Sequence, residues 1–311
     1  MKILFMGSPD FAVVSLGALY KAGHEIAGVV SVPDKPMGRG KKMTAMPVKQ
    51  AAERLGLPVF CPQTLRDGAF LETLKSLDPE MIIVVAYGKI LPSYVLDYPK
   101  YGCINVHGSL LPEYRGAAPM QRAILDGKSK TGVTIMYMDV GLDTGDMLIK
   151  KELEIKEDDN FETVHDALAA LGAEAITEAV SLAEQGRLVR EKQDDSLATY
   201  AEKITKEECH IDFSLDARTL HNKIRGMSPF PLAYSLMPDG SILKIVKARI
   251  SKTHNGAQAP GSVLSLDNGV ITVSCGEGAV DIEGVLPQGK GRMRAADFIN
   301  GRKIKVGDIL S

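Results

Sequence analysis

Cysteine is scarce and scattered in this 311-residue chain: Cys61, Cys103, Cys209 and Cys275 are the four, and none forms a CxxC pair. A disulfide framework or a zinc site needs clustered or evenly spaced cysteines, so the expectation is four reduced, mostly buried thiols and no metal. No apolar run approaches the about 20 residues that a membrane-spanning helix requires. The apolar start Met1–Gly7 is cut at once by Pro9 and Asp10, too soon for a signal peptide, which leads us to expect a soluble, cytoplasmic protein. Charge is not lopsided either: the formal net charge is -2 and 24% of residues are charged, which excludes wholesale disorder and a polycation. A nucleic-acid partner would have to be met by a local basic surface. Three nucleotide and nucleophile signatures are also missing. The turn Gly7-Ser8-Pro9-Asp10-Phe11-Ala12 lacks GxGxxG spacing and sets proline where a phosphate-binding N–H is wanted. There is no GxxxxGK[ST] and no GxSxG.

What is present divides into two halves. In the first, apolar runs alternate with helical patterns: strands over 3–6, 28–31, 58–61, 81–86, 103–106 and 133–137, helices over 11–22, 48–55, 71–77 and 161–185, with Gly186 as a C-cap. Strands alternating with helices predict an α/β fold on a parallel sheet with right-handed crossovers. Residues 190–205 are polar and read as a linker across the surface. Beyond them comes a helix over 216–225. Short strand-like segments follow at 233–236, 241–248, 261–266, 270–275 and 279–285, parted by turn residues such as Pro238-Asp239-Gly240 and Asp267-Asn268-Gly269. Five short strands in so few residues predict a small OB-like β-barrel. The expected division is therefore a catalytic domain over 1–189, a linker over 190–205 and a barrel domain over 206–311. From Thr205 onward there are 14 Lys or Arg against 11 Asp or Glu. Several of these basic residues lie close together in sequence: Lys244, Lys247, Arg249 and Lys252, then Lys290, Arg292 and Arg294. Such a face is either solvated or a track for phosphates.

Three segments carry candidate chemistry. Ile104-Asn105-Val106-His107-Gly108-Ser109-Leu110-Leu111-Pro112 closes an apolar strand, and ligands of open parallel sheets sit beyond strand carboxyl ends. Asn105 and His107 are two apart, so in extended backbone an amide and an imidazole share one side. The second segment, Met138 to Asp146, offers Asp139, Asp143 and Asp146 among two glycines. One of these carboxylates could partner His107, and spacing does not choose among them. The third, residues 31–42, holds four basic residues, two prolines and two glycines, and neither helix nor strand fits it. A long loop of that kind suits a phosphate or a nucleotide end.

These segments resemble the 10-formyltetrahydrofolate-dependent formyltransferases that act on methionyl-tRNA. The likeness is carried by Met6-Gly7-Ser8-Pro9-Asp10-Phe11-Ala12, Gly38-Arg39-Gly40-Lys41-Lys42, Ala86-Tyr87-Gly88-Lys89-Ile90-Leu91-Pro92, Asn105 to Pro112, Tyr114-Arg115-Gly116-Ala117-Ala118-Pro119, Gly141 to Asp146, and Arg225-Gly226-Met227-Ser228-Pro229-Phe230-Pro231. The resemblance implies a Rossmann-like formyltransferase domain followed by the barrel. It implies formyl transfer to the methionyl initiator tRNA used in translation initiation, with Asn105, His107 and Asp143 as the catalytic residues. It implies folate contacts from Phe11, Ala86, Tyr87, Gly88, Ile90, Leu91, Ser109, Leu110, Leu111, Pro112, Asp139, Val140, Gly141 and Leu142. Arg39, Lys41 and Lys42 would meet the acceptor end of the tRNA, and Lys244, Lys247, Arg249, Lys290 and Arg292 its phosphates. The co-substrate would be 10-formyltetrahydrofolate, with no metal, and the enzyme would act as a monomer.

Overall fold

A computed structural model describes residues 1–37, 42–252 and 258–311. The chain begins β1 (Lys2–Gly7), α1 (Asp10–Lys21), β2 (Glu25–Val30), β3 (Lys35–Met37), β4 (Lys42–Thr44), α2 (Pro47–Arg54), β5 (Val59–Phe60), α3 (Leu71–Leu77), β6 (Met81–Val85) and α4 (Ser93–Leu96). It continues through β7 (Cys103–His107), β8 (Arg115–Gly116), α5 (Pro119–Leu125), β9 (Lys130–Tyr137), β10 (Met147–Glu154), α6 (Phe161–Glu184) and β11 (Tyr200–Ala201). The last third holds α7 (Ala217–Gly226), β12 (Ala233–Leu236), β13 (Ile242–Ile250), β14 (Val263–Ser265), β15 (Ile271–Ser274), β16 (Ala279–Pro287), β17 (Met293–Arg294) and α8 (Ala295–Asn300). Two compact units result. One comprises 1–116, 131–154 and 165–200, the other 117–130, 155–164 and 201–311.

The first unit is built on a seven-stranded sheet of order β10-β9-β7-β6-β1-β2-β5. The five strands from β5 to β7 are parallel, as the alternation of strands with helices predicts, and β1 and β6 are buried along almost their whole length. The sheet extends beyond that expectation, because β9 joins β7 antiparallel, pairing His107 with Thr134 and Ile104 with Tyr137. Gly7 ends β1 where a side chain has no room: an added Cβ would lie 2.9 Å from both Ala12 Cβ and the Val85 carbonyl oxygen. Helix α6 begins at a reciprocal cap, in which Thr163 N donates to Asn160 Oδ1 at 3.0 Å and Asn160 N to Thr163 Oγ1 at 3.0 Å. It ends at Gly186, whose φ of 66° allows Arg187 N to reach back to the Leu182 carbonyl at 2.8 Å. One expectation fails here. The segment 31–42 is not without regular structure, since β3 and β4 pair antiparallel from Lys35↔Thr44 to Met37↔Lys42. Strands of three residues are too short to leave a periodic signal in sequence.

The second unit carries an antiparallel sheet of order β12-β13-β16-β15-β14, with β17 beside β16. Register shifts between Ile245 and Ala248 bend β13 against β16, and the sheet curls into an OB-like half-barrel. Its inner face and α7 share one core of residues such as Leu220, Ile224, Leu243, Ile245, Ile271, Val273 and Ile282. The C-terminal residues lie in the opening between the outermost strands. Leu236 of β12 exchanges hydrogen bonds with Ser311 at 2.7 and 3.1 Å, while Leu310 N donates to Gly261 O at 2.9 Å and Val263 N to Asp308 O at 2.8 Å. All four cysteines are unpaired. Burial holds the Cys103 and Cys275 thiols up at about 12, so both are unreactive.

Candidate active site

Strand β7 sets the site. Val106 is 4% exposed and lies under α6, close enough that a Cβ on Gly172 would sit 2.8 Å from Val106 Cγ1. With Val106 pinned there, the two-residue period of the strand turns Asn105 and His107 to the other face. His107 is buried, and its Nε2 stands 2.9 Å from the Tyr114 carbonyl oxygen. A carbonyl only accepts, so Nε2 carries the hydrogen and donates it. In the neutral ring this leaves a lone pair on Nδ1, the atom 3.6 Å from Asp143 Oδ2. That separation is too long for a direct hydrogen bond and becomes an ion pair only when Nδ1 takes up a proton. Asn105 is half-buried, and among the described residues its side-chain amide has no hydrogen-bond partner.

Asp143 arrives from an unexpected direction. Because β9 is antiparallel, it leaves the sheet level with the start of β7, where Met138 N donates to Cys103 O at 2.8 Å. The loop 138–146 therefore folds back along the sheet to bring Asp143 to His107. Asp139 braces that loop, its Oδ1 accepting from Gly141 N at 2.9 Å and Thr144 Oγ1 at 2.7 Å. Asp146 contributes its main-chain carbonyl to Tyr137 N at 2.8 Å. Of the three aspartates that spacing left open, Asp143 is the one whose carboxylate is placed beside the imidazole.

The backbone of Asp143 is left-handed, with φ 53°. Such a conformation in a non-glycine residue costs about 1–3 kcal/mol and persists only where neighbours enforce it. Here Gly116 N donates to Asp143 Oδ2 at 2.8 Å, and Gln193 Nε2 donates to the Asp143 and Gly145 carbonyls, both at 2.8 Å. At about 1 kcal/mol net each, three such bonds offset the strain. Gly145 admits no side chain, because a Cβ would lie 1.9 Å from the Tyr137 carbonyl oxygen.

Both parts of the chain match known families: the formyl transferase model covers residues 1–180, and the formyl transferase C-terminal domain model covers 203–303. The methionyl-tRNA formyltransferase of Caldanaerobacter subterraneus is 48% identical over 311 residues, covering 100% of both chains. That of Geotalea uraniireducens is 47% identical over 310 residues, covering 100% of this chain and 98% of the relative. This chain belongs to the methionyl-tRNA formyltransferase family. More distant solved structures share the fold. HypX from Aquifex aeolicus in complex with tetrahydrofolic acid has a TM-score of 0.68 at 17% identity, covering 98% of this chain and 48% of that one. The N-formyltransferase from Helicobacter canadensis, in complex with folinic acid and dTDP-3-aminofucose, has a TM-score of 0.67 at 19% identity, covering 91% of this chain and 98% of that one.

The residues expected to line a folate site divide into frame and surface. Ser109 is fully buried, its Oγ donating to Glu113 O at 2.6 Å and its carbonyl accepting from Thr134 Oγ1 at 2.7 Å. Leu111 N donates to the same Thr134 oxygen at 3.0 Å, so Ser109, Leu110, Leu111 and Pro112 form a braced loop. Phe11 is buried against the His165 ring, with centroids 5.4 Å apart. After β6 the chain bends through Ala86 and Gly88, with φ of 47° and 79°, while Leu91 is buried. The Tyr87 ring belongs to the core, and burial pushes its hydroxyl, which has no hydrogen-bond partner among the described residues, up to about 12. Ile90, Val140 and Leu142 are large apolar side chains 73%, 91% and 62% exposed, unpaid burial that an apolar ring could take up. Among the described residues no cluster of His, Cys, Asp or Glu could hold a metal, and no helix is long and apolar enough to cross a membrane.

The basic residues expected to meet tRNA are placed unevenly. Arg39 and Lys41 lie outside the described residues, and of Lys42 only the β4 backbone is described. Lys247 Nζ is 3.1 Å from Glu283, and Arg249 reaches Asp281 at 3.3 Å and Glu283 at 3.0 Å. Those two cations are matched by two carboxylates, which leaves Lys244 as the surplus positive charge of the strand pair. Lys244 Nζ lies 3.4 Å from the Pro231 carbonyl, and Arg292 Nη2 donates to the Pro229 carbonyl at 2.9 Å. Lys290 is exposed and has no partner among the described residues. Sequence reasoning missed Arg115 and Gln193 as parts of the site. Arg115 sits in a quoted motif, but Gln193 lies in a polar run with nothing in its spacing to mark it.

Proposed function

We propose that this chain transfers the formyl group of 10-formyltetrahydrofolate to the amino group of methionyl initiator tRNA, with Asn105, His107 and Asp143 at the reacting atoms. One observation carries the reading: an amide without a partner among the described residues and an imidazole share one face of β7, and the Asp143 carboxylate comes within 3.6 Å of that imidazole. Full-length similarity to methionyl-tRNA formyltransferases supplies the acceptor. The reacting groups belong to residues 1–189 and tRNA binding to 206–311, while residues 190–205 join the two and also brace the site through Gln193 and Thr199, and the enzyme works in the cytoplasm as a monomer.

The anchored tautomer shapes the mechanism. As the amine forms its bond to the formyl carbon, negative charge develops on the formyl oxygen. The Asn105 amide donates to that oxygen. His107 is already committed through Nε2 to Tyr114, so only Nδ1 remains to serve the reaction. It receives the proton leaving the amine, directly or by way of Asp143, and the imidazolium so formed donates Nδ1–H to the oxyanion beside the Asp143 carboxylate. The proton then passes to the departing folate nitrogen as the carbon–nitrogen bond breaks, and the ring returns to its starting tautomer.

The test is formyl transfer from 10-formyltetrahydrofolate onto charged initiator tRNA, collected on filters, with an amino-sugar nucleotide as a parallel acceptor. Transfer to the tRNA alone is expected. Transfer to the sugar alone, or formyl release to water with neither acceptor modified, would overturn the assignment.

A further inference from the structure

We propose that Gln193 is a positioning residue of the formyl-transfer site, oriented by Arg115 so that its side-chain amide holds the Asp143 backbone in the conformation that aims the carboxylate at His107. The inference rests on the reading of Asn105, His107 and Asp143 given above.

The amide of Gln193 has only one possible orientation. Arg115 is 2% exposed, and its Nε and Nη2 both point at Gln193 Oε1, at 3.0 and 2.8 Å. Guanidinium nitrogens only donate, so the atom they meet is the oxygen. The amide nitrogen must then face the other way, where the Asp143 and Gly145 carbonyls wait at 2.8 Å each. Both of its hydrogens are used. Arg115 is held in turn by Asp195, through an Nη2 contact of 2.6 Å.

The two carbonyls belong to the peptide groups 143–144 and 145–146, so Gln193 fixes the planes on either side of the Thr144-Gly145 pair. Asp143 is left-handed with φ 53°, and a carbonyl tethered there resists the swing back to an ordinary backbone. That swing would carry the carboxylate away from His107. Arg115 also stands between two residues of the site. Tyr114 before it accepts from His107 Nε2, and Gly116 after it donates to Asp143 Oδ2. Thr199 fixes this tripeptide, accepting from Tyr114 N at 2.8 Å and, through its carbonyl, from Arg115 N at 2.8 Å. Residues 193–199 thus set the distance between imidazole and carboxylate from outside the reacting groups.

Gln193→Glu separates a positioning role from a structural one. The carboxylate keeps the Arg115 fork and strengthens it by charge, but it can donate nothing to the two carbonyls. The measurements are thermal unfolding, and kcat and KM for folate and charged tRNA, in wild type, Gln193→Glu, Gln193→Ala and Asp143→Asn. Gln193→Glu is expected to fold and to unfold about a few degrees below wild type, while kcat falls about ten- to a hundredfold, the scale of a slightly misplaced group, with both KM values held. Gln193→Ala should lose at least as much; if it does not fold, the Glu variant decides. Wild-type kcat in Gln193→Glu beside an inactive Asp143→Asn would overturn the role of Gln193 and leave the site standing. An active Asp143→Asn would overturn the site, and this inference with it.

Discussion

Two polar networks, one in each unit, look alike in composition and differ in what they leave over. Around Asp143 the charges and amides are satisfied in sequence, Asp195 to Arg115 to Gln193 to the loop carbonyls, until one carboxylate and one imidazole nitrogen remain facing each other. On β13 and β16 the charges close into pairs instead: Lys247 and Arg249 meet Asp281 and Glu283, and Lys244 on the same strand lies 3.4 Å from a main-chain carbonyl. A charged residue is available to a substrate only when its own protein has not already used it. The pairs that Glu283 makes are partly exposed and weak, about 0–1 kcal/mol each, so a partner of sufficient charge can still displace them.

The sharpest way to break the contrast is to remove the unsatisfied groups. Asn105→Ala and His107→Ala should each lower kcat about a hundred- to a thousandfold, the range for an oxyanion donor, with tRNA affinity nearly unchanged in binding assays. Near-normal turnover in both would show that the surplus is not functional. Next, Gly145→Ala forces a methyl group against the Tyr137 carbonyl. Overpacking of this kind costs about 1–3 kcal/mol, so unfolding temperature and kcat should fall together. A variant with both unchanged would mean that the loop is not held as described.

The second network can be opened rather than removed. Glu283→Gln frees Lys247 and half of the Arg249 pairing. Affinity for tRNA should rise about threefold, the size of an exposed pair, and fall more steeply with salt, whereas Lys247→Ala should change affinity less than twofold. Equal affinity in all three proteins across a salt series would place the RNA track elsewhere. The smallest effect concerns acid. Glu208 is bonded to Arg122 at 2.6 and 3.1 Å, and that hydrogen bond holds its carboxyl below the ordinary 4.5. A lowered folded value means that the stabilisation is fully present above 4.5 and is lost as pH drops through the lowered value. The difference in unfolding temperature between wild type and Glu208→Gln should therefore be largest at neutral pH and shrink below the carboxylate range. A constant difference would assign it to packing instead.

Sequence reasoning reached much of this because burial leaves a pattern. Strand β6 is an unbroken apolar run and β1 is one from Ile3 to Met6, α6 ends where Gly186 permits a left-handed turn, and the turns at Gly240 and Asn268-Gly269 have the positive φ that their residues predict. Asn105 and His107 were legible as a pair because two residues on one strand share a face. The direction of β9 was not, since a buried strand has the same apolar content whichever way it runs. Choosing among Asp139, Asp143 and Asp146 needed a backbone that turns back on itself. Gln193 was illegible for a plainer reason: the arginine that orients it is 78 residues away.

The strip from Asp308 to Ser311 lies between β12 and β14, bonded to both. A chain cut just before it would bare two strand margins, each a row of unmatched amides and carbonyls facing water. Rows like these recruit one another, and the first symptom of the truncation would be clumping in solution rather than a slower reaction.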